Sequence, residues 1–152
     1  MKKSVFIILI LMAFPMGLVL GKDKLKSLVP LSVDSVMTVR SNNNLIRTIL
    51  YSTESAQQLD VELINAPEMN SLIDKRTIKS ISVQVNDVLK VLDFSNSAAV
   101  SINNIVIVNG FVKFEVEYFV RVGGGYYLSA CEVDANNNSL KDAACQLQKQ
   151  GL

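Results

Sequence analysis

Apolar and polar side chains alternate most regularly between residues 99 and 134. An apolar run over residues 102–108 ends at Asn109-Gly110, a pair that favours the positive φ angles of a two-residue hairpin turn. Period-two alternation then continues to the glycine turn at residues 123–125, and residues 126–133 return as a third strand. The apolar positions of the alternating segment are Val112, Phe114, Val116, Tyr118, Val120 and Val122. The pattern predicts a three-stranded antiparallel sheet with one face toward a core and one toward solvent.

Four shorter segments also have the composition of strands, namely residues 33–40, 59–64, 77–85 and 88–94. Residues 44–55 fit two structures, because their leucines and isoleucines have helical spacing while isoleucine, threonine and tyrosine favour a strand. We expect a helix there. Pro67 can begin a second, brief helix that ends at Asp74.

The C-terminal segment is predicted to be a helix. Ser139 can cap it, and Asp142 follows with the spacing of a capping box. An apolar stripe then comprises Leu140, Ala143, Ala144 and Leu147. Cys145 lies beside that stripe, so a bond to Cys131 would hold the helix against the last strand. The expected fold class is α+β: a mainly antiparallel sheet, able to curl toward a barrel, with a C-terminal helix clamped by a disulfide.

The N-terminus has the form of an export signal. Lys2 and Lys3 precede an apolar run over residues 5–20, and Gly21 follows it. A helix over the run would be roughly 24 Å long, shorter than the ~30 Å hydrocarbon core of a bilayer. This difference favours a cleaved signal peptide, although a retained anchor stays open because a bilayer can thin.

The chain is therefore divided into three parts: a signal peptide or membrane anchor at residues 1–21, a linker at 22–30, and an extracytoplasmic β-rich domain at 31–152. We expect the protein in the periplasm, either soluble after cleavage or tethered to the inner membrane by residues 5–20.

Composition restricts the function classes. The chain has 15 lysines and arginines against 14 acidic residues, without the clustered basic side chains that bind nucleic acid. It has no histidine, which excludes Ser-His-Asp and Cys-His catalysis and histidine-ligated metal sites. The scattered acids accompany no active-site motif. We expect a protein that is not an enzyme and that needs no cofactor.

One segment imitates a metal site. Asp134, Asn136 and Asn138 alternate like the first ligands of a calcium-binding loop. The imitation ends at Ser139, where the loop needs glycine, and at Cys145, where it needs a bidentate glutamate. The segment is interpreted as a polar turn, and no metal site is predicted.

Cys131 and Cys145 are the two cysteines of the chain. In an oxidising compartment a lone pair of cysteines most often forms a structural disulfide. Their spacing differs from the C-x-x-C of redox sites. We therefore predict a structural bond between them.

Phe119 is an exception to the pattern, because it lies on the charged face of the long strand between Glu117 and Arg121. Such an aromatic either packs beneath the C-terminal helix or marks a contact surface for another protein. Tyr126 and Tyr127, beside the glycine turn, belong to the same candidate surface.

This organisation resembles a group of small bacterial proteins, the periplasmic accessory partners of membrane-bound, one-pass virulence transcription activators. Lys2, Lys3, the apolar run over 5–20, Cys131 and Cys145 carry the resemblance. It implies a protein kept at the inner membrane that binds the activator's periplasmic domain and protects it from proteolysis. Some members form a joint barrel with the partner that can receive a small apolar ligand.

The function expected is non-catalytic: binding and stabilising another extracytoplasmic or inner-membrane protein, such as a membrane-bound transcription regulator. Two alternatives stay open. A curled sheet could make the protein a small carrier or sensor of an apolar ligand, and an exported domain could be a secreted effector or inhibitor.

Overall fold

The computed structural model describes residues 32–53, 55–68 and 71–151. The signal peptide or anchor predicted at 1–21 and the linker predicted at 22–30 lie outside these ranges. The described residues form ten strands and one 3₁₀ turn: β1 Ser32–Ser41, β2 Asn44–Ser52, β3 Gln57–Asn65, β4 Leu72–Ile78, β5 Ser80–Val85, β6 Val88–Asp93, the 3₁₀ turn Phe94–Asn96, β7 Ser97–Val108, β8 Phe111–Val120, β9 Tyr126–Asp134 and β10 Ala144–Gly151.

The strands form two four-stranded antiparallel sheets and one separate hairpin. Sheet A has the order β1-β2-β3-β4, and sheet B has the order β10-β9-β8-β7. Strands β5 and β6 pair only with each other. Lys79 alone separates β4 from β5, so nearly continuous backbone leaves sheet A and enters the hairpin. Strand β5 also lies next to β10, which brings the hairpin to the far edge of sheet B.

The core lies between the inner faces of the two sheets, with the hairpin covering part of it. Alternate residues of β5, β8 and β9 point inward, as expected of strands with one face on a core. The fully buried aliphatic side chains include Ile46, Leu59, Val61, Leu63, Val83, Val112, Val116 and Val133. Side chains from both sheets and the hairpin belong to a single cluster.

The sequence predicts the central meander correctly. The β7–β8 hairpin turns at Asn109-Gly110, whose φ angles are 52° and 79°. Strand β8 pairs with β9 after the glycine turn, from Phe111↔Asp134 to Phe119↔Tyr126. The four shorter predicted strands correspond to β1, to β3, to β4 with β5, and to β6. The predicted antiparallel sheet is therefore confirmed.

The α+β class and the C-terminal helix are wrong: the described chain is nearly all antiparallel β-sheet. Residues 144–151 form strand β10, in which Cys145 lies opposite Cys131 of β9. Cys145 and Leu147 face the core while Ala144 and Gln146 face out, a period of two. The helix prediction relied partly on alanines, which occur in helices and strands alike. The free edge of β9 also needs a hydrogen-bonded backbone partner, and only a strand supplies one along its length.

The helix predicted at residues 44–55 is also wrong, and so is the one predicted at Pro67–Asp74, because Leu72 to Asp74 belong to β4; residues 69 and 70 lie outside the described ranges. Residues 44–52 form β2, a central strand paired with β1 and β3. Both faces of β2 carry apolar residues, because Ile46 and Leu50 face the core and Leu45 and Ile49 lie half-buried outside. Alternation is hidden in such a strand, so the leucines and isoleucines acquire helical spacing by coincidence.

Candidate functional site

Strand β1 is an edge strand of sheet A and β7 an edge strand of sheet B, and Gln57 of β3 joins the start of β1 to the middle of β7. The Gln57 side chain donates from Nε2 to the Asp34 carboxylate at 3.1 Å. Its Oε1 accepts from the backbone N–H of Ile102 at 2.6 Å. The backbone N–H of Val100 donates to the carbonyl of Ser55 at 3.0 Å. Here the two sheets nearly close on one another.

The same two strands also meet at their other end, where they leave a gap. A cleft of about 420 Å³ lies there between the end of β1 and the β7–β8 turn, with Val39, Arg40, Ile107 and Asn109 among its lining residues. The facing edges of β1 and β7, together with this cleft, are called the seam below. Between the Gln57 link and the cleft, the facing edges of β1 and β7 are not paired with each other.

Exposed apolar side chains lie on both strands of the seam, and others lie on β4, on β6, at Phe119 and in the β8–β9 turn. Val33, Val36 and Met37 are exposed on β1, and Val106 and Val108 on β7. Strand β1 is exposed along most of both faces. An edge strand with apolar side chains and unpaired backbone groups favours pairing with another chain.

A bulge shapes the β7 side of the seam. Register with β8 shifts between Asn103 and Val106. Asn104, at φ 54°, lies inside this irregular stretch and donates from Nδ2 to the Glu115 carboxylate at 2.7 Å. Bulges bend a strand away from its sheet. The bulge therefore marks a bend in β7 at the start of the half that borders the cleft.

The outer face of sheet A carries a ladder of alternating charges. Arg47 of β2 lies 2.5 Å from Glu62 of β3, and Lys75 of β4 lies 2.7 Å from Asp60 and 3.4 Å from Glu62. Asp60 and Glu62 are only 3% and 6% exposed because the two cationic side chains cover them. The hydrogen bond to Asp60 is the main cause that raises the pKa of Lys75. These ion pairs link β2, β3 and β4 side by side, so the ladder holds the strands in register.

Four of the five predicted contact residues lie at one end of sheet B. Phe119 and Tyr126 are cross-strand neighbours on its outer face, with ring centroids 6.2 Å apart. Glu117 is the next outward residue of β8. Arg121 follows β8 and donates from Nε to the carbonyl of Ser97 at 3.1 Å. The contact role of these residues stays a prediction, but they share one surface.

Tyr127 is not on that surface. It points to the inner face and is 8% exposed. Its hydroxyl accepts a 2.6 Å hydrogen bond from Lys90 of β6, and its ring lies 6.4 Å from that of Tyr118. Burial is the main cause that raises the pKa of Tyr118, whose hydroxyl donates to the carbonyl of Asp93. Tyr127 faces inward while Tyr126 faces outward, because adjacent residues of a strand point to opposite faces. Through Lys90 it connects the β5–β6 hairpin to the core.

The predicted disulfide between Cys131 and Cys145 is present. It joins β9 to the edge strand β10 and not to a helix. Both sulfurs are engaged in the bond, so neither cysteine is available as a nucleophile or a metal ligand.

The calcium-like segment forms a turn in the structure. The backbone N–H and the side-chain amide of Asn136 both donate to Asp134 Oδ1 at 2.8 Å. Within residues 32–53, 55–68 and 71–151 no group of three or more acidic, cysteine or histidine side chains is placed to hold a metal ion.

The described residues contain no helix that is both long and apolar enough to span a bilayer.

The seam is the feature that sequence reasoning misses. Val33, Val36 and Met37 signal a strand, but their spacing does not show whether that strand is central or at an edge. Pairing partners decide this, and they are far apart in the chain.

Comparisons with protein-family models, with curated proteins and with solved structures found no match for this chain. The seam and the end of sheet B are therefore interpreted from their own chemistry.

Proposed function

We propose that the protein is a non-catalytic periplasmic accessory protein that binds and stabilises a partner protein by accepting an extended strand of that partner in the seam. The observation that carries the proposal is the seam itself, where two edge strands run beside each other with exposed apolar side chains. The organisational resemblance suggests a membrane-bound transcription regulator as the class of partner.

Strand addition suits the seam on energetic grounds. An added strand would pair with the free backbone groups of β1, which has ten residues, and those hydrogen bonds supply affinity for any extended sequence. The exposed valines and Met37 would supply the apolar contact, since full burial of one such side chain contributes about 1.5–3 kcal/mol. The partner gains because an extended segment held in a sheet is removed from proteases, which cleave exposed loops and termini.

The carrier alternative has less support. Side chains at the centre of the sandwich, such as Leu59, Val61 and Val116, are fully buried against one another. The two clefts of about 510 Å³ lie at the surface, one beside the β2–β3 turn and one on the outer face of sheet B. A carrier needs a concave apolar pocket that encloses most of its ligand. We therefore propose the partner-binding function alone.

The proposal is tested by site-specific photo-crosslinking in the native host. A photoreactive side chain replaces Val36 on β1 or Val106 on β7, and a matched one replaces Val91 of β6, which is also an exposed valine on a strand edge. The same protein should be captured from both seam positions and not from position 91. Equal capture from all three positions would contradict the use of the seam.

Stability of the captured protein gives the second half of the test. The steady-state level of the captured partner should fall when the gene for the accessory protein is deleted. It should recover when the deletion is complemented with the wild-type chain or with Val91→Lys. Val36→Lys should not restore it, because lysine would replace the apolar contact between Val36 and the neighbouring side chain of an added strand. An unchanged level after deletion would refute the stabilising function.

A further inference from the structure

We infer that the end of the sandwich carrying the β8–β9 turn is a membrane-contacting surface that meets the headgroup layer of the bilayer. The inference is independent of the partner-binding seam. It is carried by the side chains at this end and by the point where the chain enters the domain.

The entry point is fixed by the pairing of the strands. Ser32, the first residue of β1, lies opposite Ser52, and Ser52 lies opposite Gln57. Ala56 bridges to Val100 of β7. The start of β7 pairs with the end of β8, with Ser97 opposite Val120. The N-terminus of the described chain and the β8–β9 turn therefore lie at the same end of the molecule, called the entry end below.

The chain before Ser32 includes the apolar run at residues 5–20. The 11 residues from 21 to 31 separate that run from β1, and even fully extended they span at most about 40 Å. Where the apolar run is retained as an anchor, the bilayer lies within that distance of the start of β1, which is at the entry end.

The side chains at the entry end have the chemistry of a membrane interface. Val122, in the β8–β9 turn, is 83% exposed, the largest exposure among the large apolar side chains of the described residues. Phe119 and Tyr126 form an aromatic pair beside it. Aromatic rings and aliphatic side chains on one surface, with basic groups at the rim, are typical of segments that dip into the headgroup layer.

Basic side chains border this apolar group. Arg121 is exposed next to Val122, and Lys149 of β10 places its Nζ 5.9 Å from the centre of the Tyr126 ring. Glu117 lies farther from the turn along the same strand, with Phe119 between it and the end. Lys149 and Glu117 lie at the same level of sheet B, each opposite Leu128 of β9, so Arg121 is the charged residue of this group nearest to the turn, where it would meet anionic lipid headgroups.

A tryptophan reporter tests the inference. The chain has no tryptophan, so Val122→Trp in the full chain gives a signal from the entry end alone. Val108→Trp is the matched control, because Val108 is a 49% exposed valine beside the β7–β8 turn, at the opposite end. Both variants are reconstituted in vesicles of phosphatidylethanolamine and phosphatidylglycerol, with and without brominated acyl chains.

The tryptophan at position 122 should emit at shorter wavelength than the one at 108 and should be quenched by the brominated lipid, while the one at 108 should not. Adding Lys149→Gln should lower the ratio of docked to free domain about fivefold in anionic vesicles, because one basic side chain near such a surface contributes a free energy of that size. In vesicles of phosphatidylcholine alone this change should have no effect.

Equal quenching at both positions, or none at position 122, would overturn the inference. The vesicles contain no other protein, so this result says nothing against the seam. Conversely, loss of crosslinking at the seam would leave the quenching at position 122 unaffected. If the entry end instead binds a protein, the tryptophan at 122 would stay unquenched by lipid, and the membrane contact would be refuted.

Discussion

The side chain of Asp74, in β4, connects two segments that are far apart in the sequence. Its Oδ2 accepts from the backbone N–H of Leu140 at 2.9 Å, across 66 positions of sequence. Its Oδ1 accepts from the backbone N–H of Lys75 at 2.8 Å and lies 3.4 Å from Arg76. Leu140 is itself almost fully buried. The carboxylate therefore fastens the segment before β10 to the edge of sheet A.

The hydrogen bond from Leu140 is the largest cause that lowers the pKa of Asp74 below its ordinary value. A carboxyl group whose pKa is lower in the folded state stabilises the fold at pH values above its unfolded pKa. That contribution is lost as the pH falls from about 4 through the folded value. Asp74→Asn should therefore be less stable than wild type at pH 7 and lose less stability between pH 5 and pH 2.5.

Thermal unfolding followed by circular dichroism across this pH range measures the difference. The matched control is Asp87→Asn, which removes an exposed carboxylate from the β5–β6 turn. Its acid sensitivity should remain close to that of the wild type. An Asp74→Asn curve parallel to the wild-type curve would show that the Leu140 bond has no part in acid sensitivity.

Single residues were predictable where their local geometry permits few alternatives. Asn109-Gly110 adopts the positive φ angles that its sequence predicts. The structure adds a reason that is not local: a side chain at Gly110 would overlap the amide of Asn136, in the turn after β9. The glycine thus serves both the hairpin and the packing of a distant turn.

At the scale of elements, the disulfide and β10 form one unit. Cys145 and Cys131 lie directly opposite each other, and β10 has β9 as its single hydrogen-bonded partner strand. The bond closes a loop over 14 positions, which on the chain-entropy model stabilises the fold by about 3 kcal/mol. Strand β10 is mostly exposed, so the bond is a large part of what holds it in place.

Cys131→Ala and Cys145→Ala should each lower the free energy of unfolding by about 3 kcal/mol, and the double variant should be no less stable than either single one. Urea unfolding at neutral pH measures the three values. Reduced wild-type protein is the control and should resemble the double variant. Additive losses would mean that the two cysteines act separately.

The sequence predicts elements well when each face of a strand has a single environment. Strand β8 has a buried inner face and a partly solvated outer face, and its alternation is evident. Strand β2 is half-buried on its outer face, and β10 has a register shift between Leu147 and Lys149, so neither keeps a clear period along its whole length. Their strand character comes from neighbours that complete their hydrogen bonds, which a local pattern does not contain.

For the whole molecule, Gln57 is a main link between the two sheets. It joins Asp34 of β1, Ser52 of β2 and the backbone of Ile102 in β7. Ile102 is buried, so loss of its acceptor would leave an N–H group without a hydrogen bond away from water. The amide of Gln57 and the backbone bridge between Ala56 and Val100 together close this end of the seam.

Gln57→Ala should therefore destabilise the protein by about 1–3 kcal/mol, and the amide of Ile102 should exchange faster with solvent. Gln58→Ala is the control, since Gln58 is the next residue of β3 and its side chain points to the outer face. Denaturant unfolding and amide hydrogen exchange measure both effects. Equal losses for the two variants would show that Gln57 contributes only as a strand residue.

The sequence by itself determined the β-meander with its turns and the pairing of the two cysteines, because φ preferences, alternation and the number of cysteines are local or countable. It also predicts the export signal and the non-catalytic function, which no structural observation tests. Only the tertiary structure decided that residues 44–52 and 144–151 are strands, that Tyr127 faces inward, and that β1 and β7 leave a seam beside an apolar entry end. Those facts depend on which distant backbone groups pair, since hydrogen bonds between strands are satisfied across the fold and not along the chain.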